Sequence, residues 1–150
     1  MKKILMSFWP SVYDRIFTQD KTIEFRQRYS NEETIVYMYV SKPCMAIKGI
    51  AILGKRINMS TISKNSSFYL QAVHDGYQIG KYTYGMPILS FQTIVPIPLT
   101  YIKSKISDFH PPQSYYYLDN NTQLLHIIES NTKPITDVVC NSFVFPEVVE

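Results

Sequence analysis

In residues 21–29, Lys21-Thr22-Ile23-Glu24-Phe25-Arg26-Gln27-Arg28-Tyr29, polar and apolar side chains alternate from Thr22 to Arg26. A period of two is that of a half-buried strand, because successive side chains point to opposite faces of a sheet. A strand is therefore expected over Thr22–Tyr29, with Ile23 and Phe25 in the core and Thr22, Glu24, Arg26 and Arg28 on the polar face. Working outward, Ile4–Phe8 reads as a preceding strand, and Pro10 sits where a first helical turn tolerates a residue without an N–H. The helix it opens should run to about Thr18, its stripe formed by Val12 and Ile16 with Tyr13 and Phe17 beside them. Gln19 and Asp20 make the turn into the alternating stretch.

Downstream, Thr34–Val40 is a β-branched and aromatic run expected to form a well-buried strand. Ala46–Gly54 is a further strand in which Gly49 marks a bulge or a close approach by another backbone. A short helix is expected around Phe68–Val73, followed by a loop punctuated by Gly76, Gly80 and Gly85. Ile88–Val95 reads as a strand ended by Pro96 and Pro98, Leu99–Ile106 is ambiguous, and Pro111 and Pro112 forbid regular structure around them. Tyr115–Leu118 should dock on the core, Gln123–Ser130 should be helical, and the tail from Pro134 should be irregular apart from Ser142–Phe145. Strands interleaved with short helices, without regular βαβ spacing, predict an α+β architecture built on a small barrel or open sheet.

The 150 residues suit one domain, 1–150, with 45% apolar and 18% charged residues, which excludes a disordered chain. No apolar run is long enough to span a bilayer, so no membrane association is expected. Met1-Lys2-Lys3 begins like a signal peptide, but Ser7, Pro10, Asp14 and Arg15 interrupt it, and the segment reads as the first strand of a cytoplasmic protein. Cys44 and Cys140 lack any framework or metal spacing and read as reduced, buried thiols. The net charge of +3 is uneven: residues 1–75 hold eleven Lys and Arg against six Asp and Glu, whereas residues 76–150 hold four against six. The sign of the first half favours an anionic partner. Twelve Tyr, eight Phe and one Trp are many beside so small a charge, which makes stacking a larger consideration than raw electrostatics.

Lys21, Glu24 and Arg26 gather three ionisable groups within six positions, and the strand period sends Glu24 and Arg26 to one face. Such a cluster suits a polar ligand, Arg26 gripping phosphate or carbonyl oxygens with its planar fork and Glu24 accepting from a base or amide. It is equally the composition of a solvated strand face, whose ion pair is worth little. The two prolines at 111 and 112 place Gln113 and Ser114 with little entropy left to lose, ready to read a base or to satisfy backbone groups. Tyr115, Tyr116 and Tyr117 cannot all face one way. His74, His110 and His126 are far apart with no ligand at metal spacing, and no nucleotide loop or dinucleotide fingerprint is present, so neither metal nor cofactor is expected.

The order strand, helix, turn, Lys21-Thr22-Ile23-Glu24-Phe25-Arg26 resembles the signature of the ASCH family, a Gly, one residue, Lys, two residues, Glu, one residue, Arg. Gln19 stands where that Gly would be, which leaves the shape of the turn before Lys21 open. Tyr39-Val40-Ser41-Lys42-Pro43 and Pro111-Pro112-Gln113-Ser114-Tyr115 resemble two later motifs of the family, so the likeness spans residues 1 to about 118 and leaves 119–150 as a C-terminal extension. The resemblance implies a PUA-like fold, a small β-barrel flanked by short helices, with a cleft that binds RNA or a nucleotide-like small molecule. It implies ligand contacts from Lys21, Glu24 and Arg26, with Ser7, Trp9, Gln113, Ser114 and Tyr115 as further cleft candidates and Trp9 as a stacking surface. Some small ASCH-like proteins are amidohydrolases on acylated cytidine nucleosides, but they use a Thr where this chain has Glu24. A hydrolase here, amidohydrolase or ribonuclease, would have to work with Lys21 and Glu24. A protein-interaction module using exposed Tyr residues is the remaining alternative.

Overall fold

The computed structural model describes residues 1–148. β1 (Lys2–Phe8) leads through Trp9 into α1 (Pro10–Phe17), then into β2 (Ile23–Arg26) and β3 (Thr34–Val40). β3 returns parallel to β1 over its whole length, from Lys2 opposite Thr34 to Phe8 opposite Val40. β4 (Ala46–Leu53) turns back antiparallel on β3. After β5 (Ile57–Asn58) and α2 (Ser67–His74) comes β6 (Tyr84–Pro98), which pairs β2 with its first residues and β4 with the rest. α3 (Leu99–Lys105), β7 (Tyr115–Tyr117), α4 (Thr122–Ser130) and β8 (Val139–Cys140) complete the described chain.

The main path of the sheet runs β2-β6-β4-β3-β1-β7, with β5 and β8 pairing β6 beside it. It curls into a half-barrel in which the segment after β2 meets β7: the Tyr115 ring lies edge-on to Tyr29 at 5.5 Å, and its hydroxyl donates to the Arg28 carbonyl at 3.2 Å. Ile4, Met6, Val36 and Met38 fill the side covered by α1, where Tyr13 and Ile16 complete the cluster. The other side takes Leu5, Tyr37, Tyr39 and Ile47 against α3 and α4. Burial on both faces explains why β3 carries an apolar run instead of an alternating one. A third cluster places Phe68, Tyr69 and Ala72 of α2 over Ile23 and Phe25 of β2.

The Gly49 expectation holds twice over. The β4 register shifts between Ile47 and Gly49, and a Cβ at Gly49 would meet the Gln92 carbonyl oxygen and the Tyr13 hydroxyl, each at 3.2 Å. β6 corrects the sequence expectation, since it runs through Pro87 and Pro96 instead of spanning only 88–95. Proline cannot donate to a ladder, but Pro87 lies where the strand changes partner from β2 to β4, and Pro96 lies where pairing with β4 skips from Thr93 to Ile97. Pro98 then caps α3, which resolves the ambiguous segment as a helix. In the tail the ladder residues are Val139 and Cys140, not Ser142–Phe145; Phe143 instead packs its ring on Phe68 at 6.3 Å. Both cysteines are free and exposed, contrary to the expectation of burial, because Cys44 sits in the turn after β3 and Cys140 near the chain's end. The segment after 118 is integral to packing, with Leu124 and Ile128 buried in the core.

Candidate functional site

The turn before β2 is built by Gln19, whose φ of 64° is in the left-handed region that favours glycine. The backbone thus takes a glycine-like path although the family's Gly is replaced, and the Gln19 amide donates to Asn141 Oδ1 at 2.9 Å. Asp20 is held from both sides, by Arg15 Nε at 2.7 Å and His74 Nε2 at 3.0 Å, and these contacts keep its carboxyl below the usual range. Lys21 then turns inward to the cavity.

The polar face of β2 is not solvated. Lys21 and Glu24 are 5% and 6% exposed, a burial that period-two patterning does not foresee. For Lys21, the end of α2 is one cause. Asp75 Oδ2 accepts the backbone N–H groups of Thr22 and Ile23, each at 2.9 Å, while Oδ1 accepts from Gln71 at 2.8 Å. The Asp75 carbonyl accepts from Lys21 Nζ at 3.2 Å. One residue therefore fastens α2 to the start of β2 through both its side chain and its main chain. Burial raises the Asp75 carboxyl above its ordinary value, against the opposing pull of the two amides and Gln71. Nothing local in the sequence marks Asp75, since an Asp before Gly76 reads as the end of a helix.

Around Glu24 the charges are tightly grouped. Its Oε1 accepts the Phe25 N–H at 2.9 Å and lies 3.4 Å from Arg26 Nη1 and 3.7 Å from Lys21 Nζ. The Lys21 ammonium also sits 4.8 Å from the centre of the Phe25 ring. Burial lowers the Lys21 pKa, and the neighbouring Glu24 partly restores it. Arg26 Nη1 donates to the Phe25 carbonyl at 2.8 Å, while its Nε is buried with no hydrogen-bond partner among the described residues.

These groups line one cavity of about 410 Å³, within the range of small-ligand sites. Ser7, Trp9, Gln113 and Ser114 line it too, so seven of the eight residues singled out from the sequence converge there. The proline-rich loop is drawn to the end of β1 by the Ser7 hydroxyl, which donates to the Pro112 carbonyl at 2.6 Å, and by the Ser7 N–H, which donates to Ser114 O at 3.1 Å. Ser7 is thereby occupied in positioning. Trp9 is 74% exposed on the rim, so the single tryptophan is not core. Tyr115 is the exception: on β7 it pairs with Met6 of β1, its ring contacts Tyr29 and Tyr117, and it does not line the cavity. Strand alternation puts Tyr116 on the opposite face, its hydroxyl donating to the His110 carbonyl. Tyr82, stacked on Phe25 with centroids 5.7 Å apart, lines the cavity and escapes a reading of the sequence because it lies in an irregular loop. Among the described residues no three His, Cys, Asp or Glu side chains come together as a metal site, and no helix is long and apolar enough to cross a membrane.

In architecture this is an α+β, PUA-like fold of the ASCH type. No family model matches the chain. The ASCH domain-containing ribonuclease of Zymomonas mobilis subsp. mobilis is 26% identical over 125 residues, covering 78% of this chain and 84% of the relative. The crystal structure of ASCH from Zymomonas mobilis has a TM-score of 0.64 at 22% identity, covering 88% of this chain and 96% of that one. A serine-to-alanine variant of the same protein gives 0.67 at 23%, covering 88% and 97%. The resemblance to the ASCH family drawn from Lys21, Glu24 and Arg26 therefore extends to a curated relative and to solved structures.

Proposed function

We propose that this chain binds single-stranded RNA, or a nucleotide-like part of it, in the cavity built around Lys21, Glu24 and Arg26. The observation that carries this is the convergence of a buried ion cluster, the rigid Gln113-Ser114 loop and an exposed Trp9 around one opening. Arg26 is only partly buried and lines the cavity, so its guanidinium can meet a phosphate or base acceptor. Glu24 fixes that guanidinium, Gln113 and Ser114 supply hydrogen bonds to a base edge, and Trp9 supplies a stacking face. The reading takes residues 1–150 as one domain, with 119–150 as its C-terminal extension, and places it in the cytoplasm, where two free thiols suit a reducing compartment.

Fluorescence anisotropy with a pool of short unstructured RNAs tests the proposal. Binding should be lost in Arg26→Ala, and with only one or two phosphates contacted, log K should fall against log salt with a slope of about −0.7 to −1.4. No binding at low salt, or binding untouched by Arg26→Ala, overturns it.

A second reading, RNA cleavage, is favoured by the name of the curated relative and by the Lys21–Glu24 pair at 3.7 Å. A lysine of lowered pKa beside a carboxylate is a usable proton donor and acceptor pair. Unstructured RNA and N-acylated cytidine, each incubated with the protein and assayed for products, separate ribonuclease from amidohydrolase. Cleavage that survives both Lys21→Ala and Glu24→Ala places the chemistry outside this cluster.

A further inference from the structure

A second cavity of about 450 Å³ adjoins the first, and Ser7, Trp9 and Gln113 line both. Its character is different. Where the first cavity holds two cations and two carboxylates, the second is walled by Tyr39, Met45, Leu99 and the two prolines 111 and 112, with Ser41 and Lys42 at its edge and no carboxylate in its lining. The wall between them is the narrow ridge made by Trp9 and the Gln113 turn.

We infer that the ligand is a single strand of at least two consecutive nucleotides, one in each cavity, with Trp9 standing between them. This rests on the nucleotide-binding reading of the first cavity and names the class of ligand that site takes. Continuity with the first cavity supplies the first argument, because a strand leaving it past Trp9 and Gln113 meets the second directly. Chemistry supplies the next: a largely apolar pocket edged by Met45, Pro111 and the exposed Trp9 can take the face of any base, which is how unpaired bases are held without sequence preference. Charge agrees, since Lys42 is exposed at the rim of a pocket without acidic groups, placed for a backbone phosphate. Trp9 can touch a base in either cavity because most of its ring is uncovered.

Trp9 is the chain's only tryptophan, so its fluorescence reports the ridge without labelling. Adenosine monophosphate and the dinucleotide ApA are titrated against wild type, Lys42→Glu and Ser41→Tyr, with the dinucleotide's integrity checked by chromatography afterwards. The expected result is that ApA binds about tenfold or more tighter than the mononucleotide and quenches Trp9, the increment being that of one added stacked base. The increment should vanish in Ser41→Tyr, which fills the second cavity, and shrink in Lys42→Glu, whose exposed site spares the fold, while mononucleotide affinity stays put. Equal affinity for both ligands overturns the inference and leaves the first cavity's role standing. A dinucleotide advantage that persists in both variants overturns the placement of the second unit. If neither ligand binds, this inference falls together with the reading it rests on.

Discussion

Replacing Asp75 separates the structural from the electrostatic part of the site. In Asp75→Ala the N–H groups of Thr22 and Ile23 lose their acceptor, and Ile23 is fully buried. Leaving a buried donor unsatisfied costs about 1–3 kcal/mol, so the two together should cost about 2–6 kcal/mol, falling to about 1–3 kcal/mol if water reaches the half-buried Thr22 amide. In Asp75→Asn the amide oxygen accepts the same two N–H groups, and a flipped Gln71 amide presents oxygen to the new NH2. That variant should lie within about 1 kcal/mol of wild type at neutral pH. Urea unfolding followed by far-ultraviolet circular dichroism measures both, with a shifted midpoint at unchanged slope as the mark of a stability effect. The pH dependence adds a second constraint. Burial raises the folded-state Asp75 pKa above 3.8, so between 3.8 and the raised value the folded chain holds more protons than the unfolded one. Wild-type stability relative to Asp75→Asn should therefore grow as pH falls through that window and shrink as pH rises through it. A loss in Asp75→Asn as large as in Asp75→Ala would show that the negative charge facing Lys21, and not the amide clamp, holds β2 in place.

Gln19→Gly should stabilise the fold by about 0.5–1 kcal/mol, relief of left-handed strain outweighing the extra flexibility of the unfolded chain and the exposed bond to Asn141. A thermal scan should show a rise of about 2–4 °C, and a fall would mean the bond to Asn141 dominates. Tyr29→Phe removes the partner of Thr34 Oγ1, 2.6 Å away in the core, and should cost about 1 kcal/mol; if the two hydroxyls are coupled, Thr34→Val will cost less when combined with Tyr29→Phe than alone, in a double-mutant cycle. Lys21→Met tests the buried ammonium. Its folded pKa is lowered, so the unfolded chain holds more protons between that value and 10.5, and wild-type stability relative to the variant should climb with pH across that window. Relative stability that falls with rising pH would show that Glu24 outweighs burial.

Local pattern is enough for elements that carry their own period. β3 is Thr34–Val40 in both sequence and structure, because a strand buried on both faces needs an unbroken apolar run and nothing else. Pro10 and its stripe likewise mark α1. What local pattern lacks is information that lies between elements. Prolines read locally as strand ends, yet Pro87 and Pro96 fall where pairing lapses, and only the partner strands reveal those places. Alternation puts Glu24 and Arg26 on a common face but does not say that Asp75, some fifty residues later, meets Lys21 and the start of β2. Proximity in sequence groups Tyr115 with Gln113 and Ser114, but one step into β7 the strand's pleat carries it to the opposite side.

On the proposed reading, the distribution of charge favours a short ligand over a long polyanion. Although the first half of the chain carries an excess of five positive charges, Lys21 and Arg26 inside the cavity are matched by Glu24 and Asp75. The Lys21 ammonium is buried and already spent on a carbonyl, a carboxylate and a ring, so the partly exposed Arg26 is the more accessible cation of the cavity. A neutral cluster exerts little long-range pull on a polyanion. Under the proposal, selectivity then rests on short-range geometry, hydrogen bonds at Gln113 and Ser114 and a stacking face at Trp9, which would act on one or two nucleotides and not along a groove. An ordered ion cluster beneath such a surface does its work by holding one guanidinium in one orientation, since a loose arginine would lose on ordering what it gained in contact.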